Sequence, residues 1–349
     1  GAIHIHTQHS DGSGYLPEIA EAAKANNLDF LLITDHNTLA LKDSAANSAN
    51  PVVIIGTELS VGAGHLLAYG LQSLPEKFSE AKMGGLDTIL DSIRAHNGFA
   101  IVAHPIHPKI PWKADTISPK IDGLEILNAD VEWRNDNPFA VLMAFLAYPF
   151  FDHAMNYLLD SPQHELDFWD RLLQKRQAAG IGSVDAHVRI KLGSGRYWRF
   201  PSYTKTFSLV QNAVMLRDSL SSHSEIAKQQ IVHAIRNGNL LFGFASLGKL
   251  GNAKIWYEDD NMVYLPGEKI SFQSGRGLIK IRLPGSMPLE THLYQNGNLI
   301  ASSNKVNIDW EVKKKGVYRV IVFQRRLQFP FLSRKFVPWV FSNPFYLVH

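Results

Sequence analysis

The feature that most constrains this chain is a series of short apolar runs through its first half, each four or five residues long and nearly free of charge. They are Ala2–Ile5, Phe30–Thr34, Val52–Gly56, His65–Tyr69, Phe99–Ala103, Gly123–Leu127 and Ile181–Val184. Continuous apolar runs of this length suit strands buried on both faces, as in a parallel sheet covered by helices. Helix-like periodicity falls between several of them, at Leu16–Asn26 with Pro17 near its start, at Gly85–Asn97, and at Asp167–Ala179 before Gly180. Proline suits the first turn of a helix and glycine its end. The alternation predicts an α/β fold of βα units and, with seven strands, a closed or distorted barrel.

From about Leu250 the texture changes to short alternating segments, among them Ala253–Glu258, Lys269–Phe272, Leu278–Leu283, Glu290–Gln295, Val306–Trp310 and Gly316–Phe323. Asn296-Gly297 between two such runs is a strong hairpin signal. The expected organisation is therefore a first domain over 1–249 and an antiparallel β-sandwich over 250–349, the size of a small module.

Composition removes several function classes. The 35 basic and 32 acidic side chains leave a net charge of only +3, too little to point to nucleic acid, and no helix-turn-helix, zinc-finger or RNA-binding signature is present. With no cysteine, neither a disulfide framework nor a Cys-ligated zinc site is possible. The most apolar stretch, Phe139–Phe151, is broken by Pro149 and is too short to span a bilayer. A start at Gly1, without an initiator Met, reads as a trimmed or mature chain, which leaves localisation open. The basic, aromatic stretch Lys313–Lys335 reads as the solvated face of a β module. The fifteen histidines are the oddity, because imidazole is the commonest metal ligand.

Their placement is what carries chemistry. Nearly every apolar run ends in a group able to hold a metal: His4 and His6 followed by Asp11, then Asp35-His36, Glu58, His104, and Asp185-Ala186-His187, with His65 opening the fourth run. In α/β barrels the carboxyl ends of the strands converge on one face, where active sites are built. Residues two apart on a strand point to the same side, so His4 with His6, and Asp185 with His187, can each serve one ion. A lone histidine of this kind reads as a hydrogen-bonded core or surface residue. A set spread over six of seven strand ends does not.

These residues resemble a known family. His4-Ile5-His6-Thr7 with Ser10-Asp11-Gly12, Ile33-Thr34-Asp35-His36-Asn37, Gly56-Thr57-Glu58, Ala103-His104-Pro105 and Asp185-Ala186-His187 look like the successive motifs of the PHP (polymerase and histidinol phosphatase) superfamily, over roughly residues 1–245. The resemblance implies a distorted (β/α)7 barrel holding two or three Zn, Mn or Fe ions. Carried over by motif, His4, His6, Glu58 and Asp185 would hold a first ion, Glu58 with His65 and His104 a second, and Asp11, His36 and His187 a third. Phe200–Tyr203, Ala234–Gly238 and Pro338–Tyr346 further resemble the carbaryl-hydrolase-related, CehA/McbA-like subgroup. Its members cleave carboxylic ester, carbamate or amide bonds, whereas most of the superfamily cleaves phosphate esters.

The expected activity is a metal-dependent phosphoesterase acting on a small anionic substrate, with Glu58, Asp185 and His187 as the catalytic set, Glu58 bridging two ions, and a metal-bridging hydroxide as nucleophile. Arg189, Arg196 and Arg199, which follow the last motif, are candidate substrate-binding residues, and Lys191 is a weaker one. Asp35 reads as a partner of a ligand imidazole or as a helix cap, Glu125 and Asn128 as pocket-facing, and His107 as pocket-lining or part of a loop. The alternatives are a carboxylic ester, carbamate or amide hydrolase, and a non-catalytic metal-binding module. Oligomeric state is not legible.

Overall fold

The computed structural model describes residues 1–42, 50–74, 85–113, 117–134, 159–193, 196–260, 262–272, 277–285, 288–328 and 333–348. The apolar stretch at 139–151 lies outside them, and among the described residues no helix is long and apolar enough to cross a membrane.

Strands β1 (Ala2–Ile5), β2 (Phe30–Ile33) and β3 (Val52–Ile55) pair in parallel. A second sheet runs in the order β4 (Thr57–Val61), β5 (Gly64–Tyr69), β6 (Phe99–Val102), β7 (Gly123–Asn128) and β8 (Ala179–Ser183). Hydrogen bonds join the two sheets at both edges. Gly56 N donates to Ile33 O and Glu58 N to Thr34 O, while Val184 N donates to Ile3 O and His6 N to Ala186 O. The pairing thus leads from β8 through β1, β2 and β3 to β4 and back, which makes the first part of the chain an α/β barrel.

Two differences from the expected alternation have a local cause. The run at Val52–Gly56 does not end in a helix: the chain passes through Gly56 directly into β4, turns at residues 62 and 63, and returns as β5. The pairs β4–β5 and β5–β6 are therefore antiparallel, and Glu58 lies inside a strand rather than after one. A side chain on Gly56 would meet Ala68 O at 2.5 Å, so close backbone approach requires glycine there.

Helices cover the outside. In α1 (Leu16–Ala25) Pro17 opens the first turn, Glu18 and Lys24 suit the dipole at the two ends, and Ile19, Ala22 and Ala23 turn inward. Helix α2 (Leu86–Ala95) buries Ile89, Leu90 and Ile93. Helix α3 (Ala129–Arg134) follows β7, and α4 (Gln163–Leu173) buries Leu166, Trp169 and Leu173. The sequence pattern puts this helix later in the chain, at 167–179, whereas the helix ends at Leu173 and Ala179, apolar enough to extend it, begins β8 instead. After β8 come an exposed hairpin of β9 (Ile190–Gly193) and β10 (Arg196–Trp198), helix α5 (Tyr203–Phe207), strand β11 (Val210–Val214), helix α6 (Ser224–Asn237) and strand β12 (Leu240–Phe244). Gly238 ends α6 in the left-handed region at φ 72°.

The C-terminal part is built of two sheets. One holds four strands, including Lys254–Asp259, Gly277–Arg282 and Asn307–Glu311. The other pairs Leu289–Gln295, Gly316–Gln328 and Ser333–Ser342 with β12 and, through it, β11. Hydrogen bonding therefore crosses residue 250. The C-terminal segment packs on the barrel: Asn343 Oδ1 accepts from Gly180 N at 2.7 Å, its Nδ2 donates to Gly180 O at 2.9 Å, and Trp339 Nε1 donates to Gly248 O. From the basic stretch, Arg319 is buried and grips Asp170 of α4 through two hydrogen bonds of 2.9 and 2.6 Å.

Candidate metal centre

All nine candidate ligands meet at the end of the barrel where β1, β6 and β8 finish. Local backbone departures aim several of them. His4 adopts φ 70° where the β1 register slips between Ile3 and Ile5, and Asp185 (φ 45°) and His104 (φ 28°) also occupy the left-handed region. Such conformations cost about 1–3 kcal/mol each for a non-glycine residue and persist where surrounding structure fixes them. Here the fixing bonds are those between β1 and residues 184–186.

Glu58 is the centre of the arrangement. Its Oε2 lies 3.0 Å from His4 Nε2, 3.2 Å from His6 Nε2 and 3.2 Å from His36 Nδ1. Its Oε1 lies 2.6 Å from His65 Nδ1 and 3.0 Å from His104 Nε2. Each carboxylate oxygen thus addresses a different set of imidazoles. Asp185 Oδ1 is 3.3 Å from both His4 Nε2 and His6 Nε2, and Asp11 Oδ1 is 3.2 Å from His187 Nε2 and 3.7 Å from His36 Nε2. Three groups have ligand atoms mutually within 4.8 Å: His4 with His6 and Glu58; His36 with Glu58 and His65; and His6 with Asp11, His36 and His187. His6 and His36 each belong to two groups, a sharing that spacing along the chain does not reveal.

The residues fit divalent cations. His6 Nε2, Asp11 Oδ1 and Asp185 Oδ1 are buried and make no hydrogen bond, although other candidate ligand atoms lie 3.2–3.3 Å away. Converging lone pairs without donors between them are what a cation satisfies, and imidazole with carboxylate suits Zn, Mn or Fe. Electrostatics agree. Burial alone would raise the Glu58 carboxyl, but the charge of His4 and the close approach of His104 and His4 hold it well below the usual range. Burial would likewise raise Asp185, and His4, His6 and His187 hold it down. Burial opposes the charge on His187, yet Asp11 and Asp185 raise the ring to about 9. His36 is pushed down to about 4 by burial, against the pull of Glu58. The anionic cluster demands compensating positive charge, and protons compete with metal ions for the same nitrogens.

A layer of buried side chains orients the ligands. Glu125, in mid-β7, places Oε1 2.7 Å from His4 Nδ1, and its Oε2 accepts from His104 N at 2.7 Å and from Asn128 Nδ2 at 2.9 Å. Asn128 also donates to Asp185 Oδ2 at 3.2 Å. Asp35 neither caps a helix nor touches a ligand ring. It accepts from Thr7 N, Thr7 Oγ1 and Ser10 Oγ at 2.7, 2.7 and 2.5 Å, fixing the loop that carries Asp11. Tyr203, which no motif of the sequence marks as a site residue, is buried, donates to His6 O at 2.7 Å and accepts from Gly14 N. His107 Nδ1 accepts from Lys109 N and Ile110 N, which ties it to its own turn.

The candidate substrate arginines lie along the hairpin beyond His187. Arg189 stacks over the Tyr197 ring at 4.4 Å, Arg196 is exposed on β10, and Arg199 donates to Ser13 Oγ and pairs with Glu18. Among the described contacts none of the three touches a ligand directly. The side chain of Lys191 is not described. Of the remaining histidines, His96 and His223 border helices and His292 pairs with Glu290, while His153 and His349 lie outside the described residues.

An α/β barrel whose strand ends gather histidines and carboxylates defines a metal-dependent hydrolase. The family model of the PHP domain matches residues 2–188, more than half of the chain, and the chain belongs to that family. Among solved structures it is similar to a two-domain protein containing a predicted PHP-like metal-dependent phosphoesterase from Bacteroides vulgatus, with 14% identity, 98% of this chain and 94% of that one covered, and a TM-score of 0.45. A protein described as a metal-dependent phosphoesterase from Bifidobacterium adolescentis is 15% identical over 58% of this chain and 93% of its own, with a TM-score of 0.33. An amidohydrolase from Chromobacterium violaceum with bound sulfate and no metal is 14% identical over 58% and 92%, with a TM-score of 0.31. No curated protein matches.

Proposed function

We propose that the chain is a phosphoesterase that hydrolyses a small anionic phosphate ester at a cluster of two or three divalent ions. The observation that carries this reading is the split contact of Glu58, with His4, His6 and His36 at one carboxylate oxygen and His65 and His104 at the other. A carboxylate so placed suits two neighbouring ions, and His6 and His36 link them to a third position at Asp11 and His187. When bound, divalent ions lower the pKa of coordinated water toward neutrality and stabilise charge developing on a phosphoryl oxygen. Asp185 would add its buried oxygen beside His4 and His6, and His187, a partly exposed ring beside Asp11, would face the substrate. Glu125, Asn128, Asp35 and Tyr203 would hold these groups in register.

Charge supports an anionic substrate. Four carboxylates, Asp11, Glu58, Glu125 and Asp185, stand at or beside the cluster, so two dications leave it near neutral and three leave it positive. Arg189, Arg196 and Arg199 on the adjoining hairpin would meet the part of the ester that leaves. Counting β3 and β4 as one broken strand gives seven staves, in keeping with a distorted (β/α)7 barrel. We assign catalysis to residues 1–249 and an accessory role to 250–349.

The test is a metal-replete screen against phosphomonoesters, phosphodiesters, and aryl esters and amides, run beside elemental analysis. Phosphate ester hydrolysis that falls by orders of magnitude in Glu58→Gln, with metal content reduced, is the expected result. Turnover of carboxylic esters or amides alone would replace the substrate class. Unchanged metal content and turnover in Glu58→Gln would remove the bridge.

A further inference from the structure

We propose that the opposite end of the barrel carries a second site, for a tetrahedral oxyanion taken either as inorganic phosphate or as the phosphoryl group of a small molecule. A cavity of about 260 Å³ opens there, between the starts of β7 and β8 and the ends of α2 and α6. Three guanidiniums, Arg94, Arg176 and Arg236, line it, and among the described residues Asp122 is its only acidic lining residue. The lining therefore carries a surplus of two positive charges.

The hydrogen bonds leave this charge largely unneutralised, since neutral carbonyls take most of it: Arg94 donates from Nε to Lys120 O at 3.2 Å and from Nη2 to Pro119 O at 3.3 Å. Asp122 Oδ2 accepts from Ala100 N at 2.9 Å, and its Oδ1 is stretched between Arg236 Nε at 3.4 Å and Arg94 Nη2 at 3.7 Å. One oxygen at such distances neutralises neither cation well. Arg176 commits its two terminal nitrogens to Gln177 O and Ser118 O, and its Nε is buried with no partner. Among the described residues the terminal nitrogens of Arg236 make no hydrogen bond. An unpaired donor in a buried position costs about 1–3 kcal/mol unless something occupies it. Burial and the charge of Arg94 also press against the Arg176 proton, with Asp122 opposing them.

A bland account exists for two of the three. Arg94 and Arg236 stand in the last turns of their helices, where a cation offsets the dipole. It does not explain why both lean into one cavity with Arg176, or why the Arg176 Nε has no acceptor. Planar guanidinium forks match the paired oxygens of a phosphoryl group, and several converging from different elements select a tetrahedral anion over a single carboxylate. No residue of this site is a candidate metal ligand, so it stands or falls independently of the hydrolase reading.

The experiment is thermal unfolding of the chelator-treated protein with added inorganic phosphate, against chloride at matched ionic strength. Wild type and His187→Ala should both be stabilised, and Arg236→Gln should bind phosphate at least tenfold more weakly. No stabilisation of wild type, or stabilisation kept by Arg236→Gln and lost in His187→Ala, overturns the proposal. Should Arg236→Gln fail to fold, selenate diffused into wild-type crystals decides the matter. An anomalous peak among the three guanidiniums supports the site, and its absence there refutes it.

Discussion

Glu125→Gln is the substitution that asks most of the proposed centre while changing least in volume. The carboxylate has three partners, and all must be donors: the His4 ring at Nδ1, the His104 amide and the Asn128 amide group. With Nδ1 protonated, His4 turns a lone pair at Nε2 toward Glu58 and Asp185, which is the state a ligand needs. Glutamine has one acceptor and one donor end, so it can satisfy only part of this. If its oxygen keeps His104 and Asn128, its NH2 faces His4 Nδ1 and favours the tautomer with hydrogen on Nε2, which cannot bind metal. If it is turned round, two donors confront two donors in a buried site. Either arrangement loses a hydrogen bond to a charged acceptor, worth about 1.5–3 kcal/mol. Loss of such an orienting partner typically costs roughly 10–100-fold in metal affinity or activity, about 1.4–2.7 kcal/mol, the same range. Competitive metal titration with a chromophoric chelator reads the affinity, and circular dichroism checks the fold. A folded Glu125→Gln protein with wild-type metal affinity and hydrolysis would show that His4 is not oriented through Glu125.

Asp35→Asn should loosen the loop of residues 7–10, since an amide cannot accept from Thr7 N, Thr7 Oγ1 and Ser10 Oγ together; the expected loss is chiefly at the Asp11 position, seen as one fewer tightly held ion by elemental analysis. Tyr203 sets an alkaline limit: burial raises its hydroxyl to about 12 from 10.0, so the folded state holds the proton longer than the unfolded one. Its contribution is complete below pH 10 and is lost as pH climbs toward 12, about 2–3 kcal/mol in all. Urea denaturation at pH 9 and pH 11.5 should show a smaller difference in Tyr203→Phe than in wild type, and an equal difference would contradict this. Asn343→Ala should cost about 2–4 kcal/mol by leaving Gly180 N and O unpaired in the core, measured by the urea midpoint at constant slope.

The candidate ligands were legible because metal chemistry restricts residue type and the strand ends are marked by apolar runs. His4, His6, Asp185 and His187 announce themselves within a few residues of chain. Glu125 reads from the sequence only as pocket-facing: Gly123-Leu124-Glu125-Ile126-Leu127 is a strand with one polar residue, and only the approach of β1 across the barrel gives the carboxylate its partner. Strand direction was legible only in part. Continuous apolar runs point to parallel pairing, as β1–β3 and β6–β8 show, but Thr57–Val61 is no such run, and its antiparallel pairing with β5 is set by the short turn at residues 62 and 63. The change of texture near Leu250 was visible, but the pairing of Leu241–Gly243 with Val340–Ser342 is a fact of tertiary register. Tyr203 lies 197 residues from the carbonyl it holds, a separation no local pattern spans.

That pairing across residue 250 bears on how the chain can be handled and inherited. The strand Leu240–Phe244 is entirely buried, with Phe242 stacked on Phe341 at 5.2 Å. With residues 250–349 cut away, its open edge and the aromatic face would be bared together, a template for sticking to other chains. The barrel half, although it holds every candidate ligand, would then aggregate rather than work alone. Recombination that exchanged the C-terminal half for a foreign one would have to bring a matching edge with it, so the two halves are bound to travel as one unit.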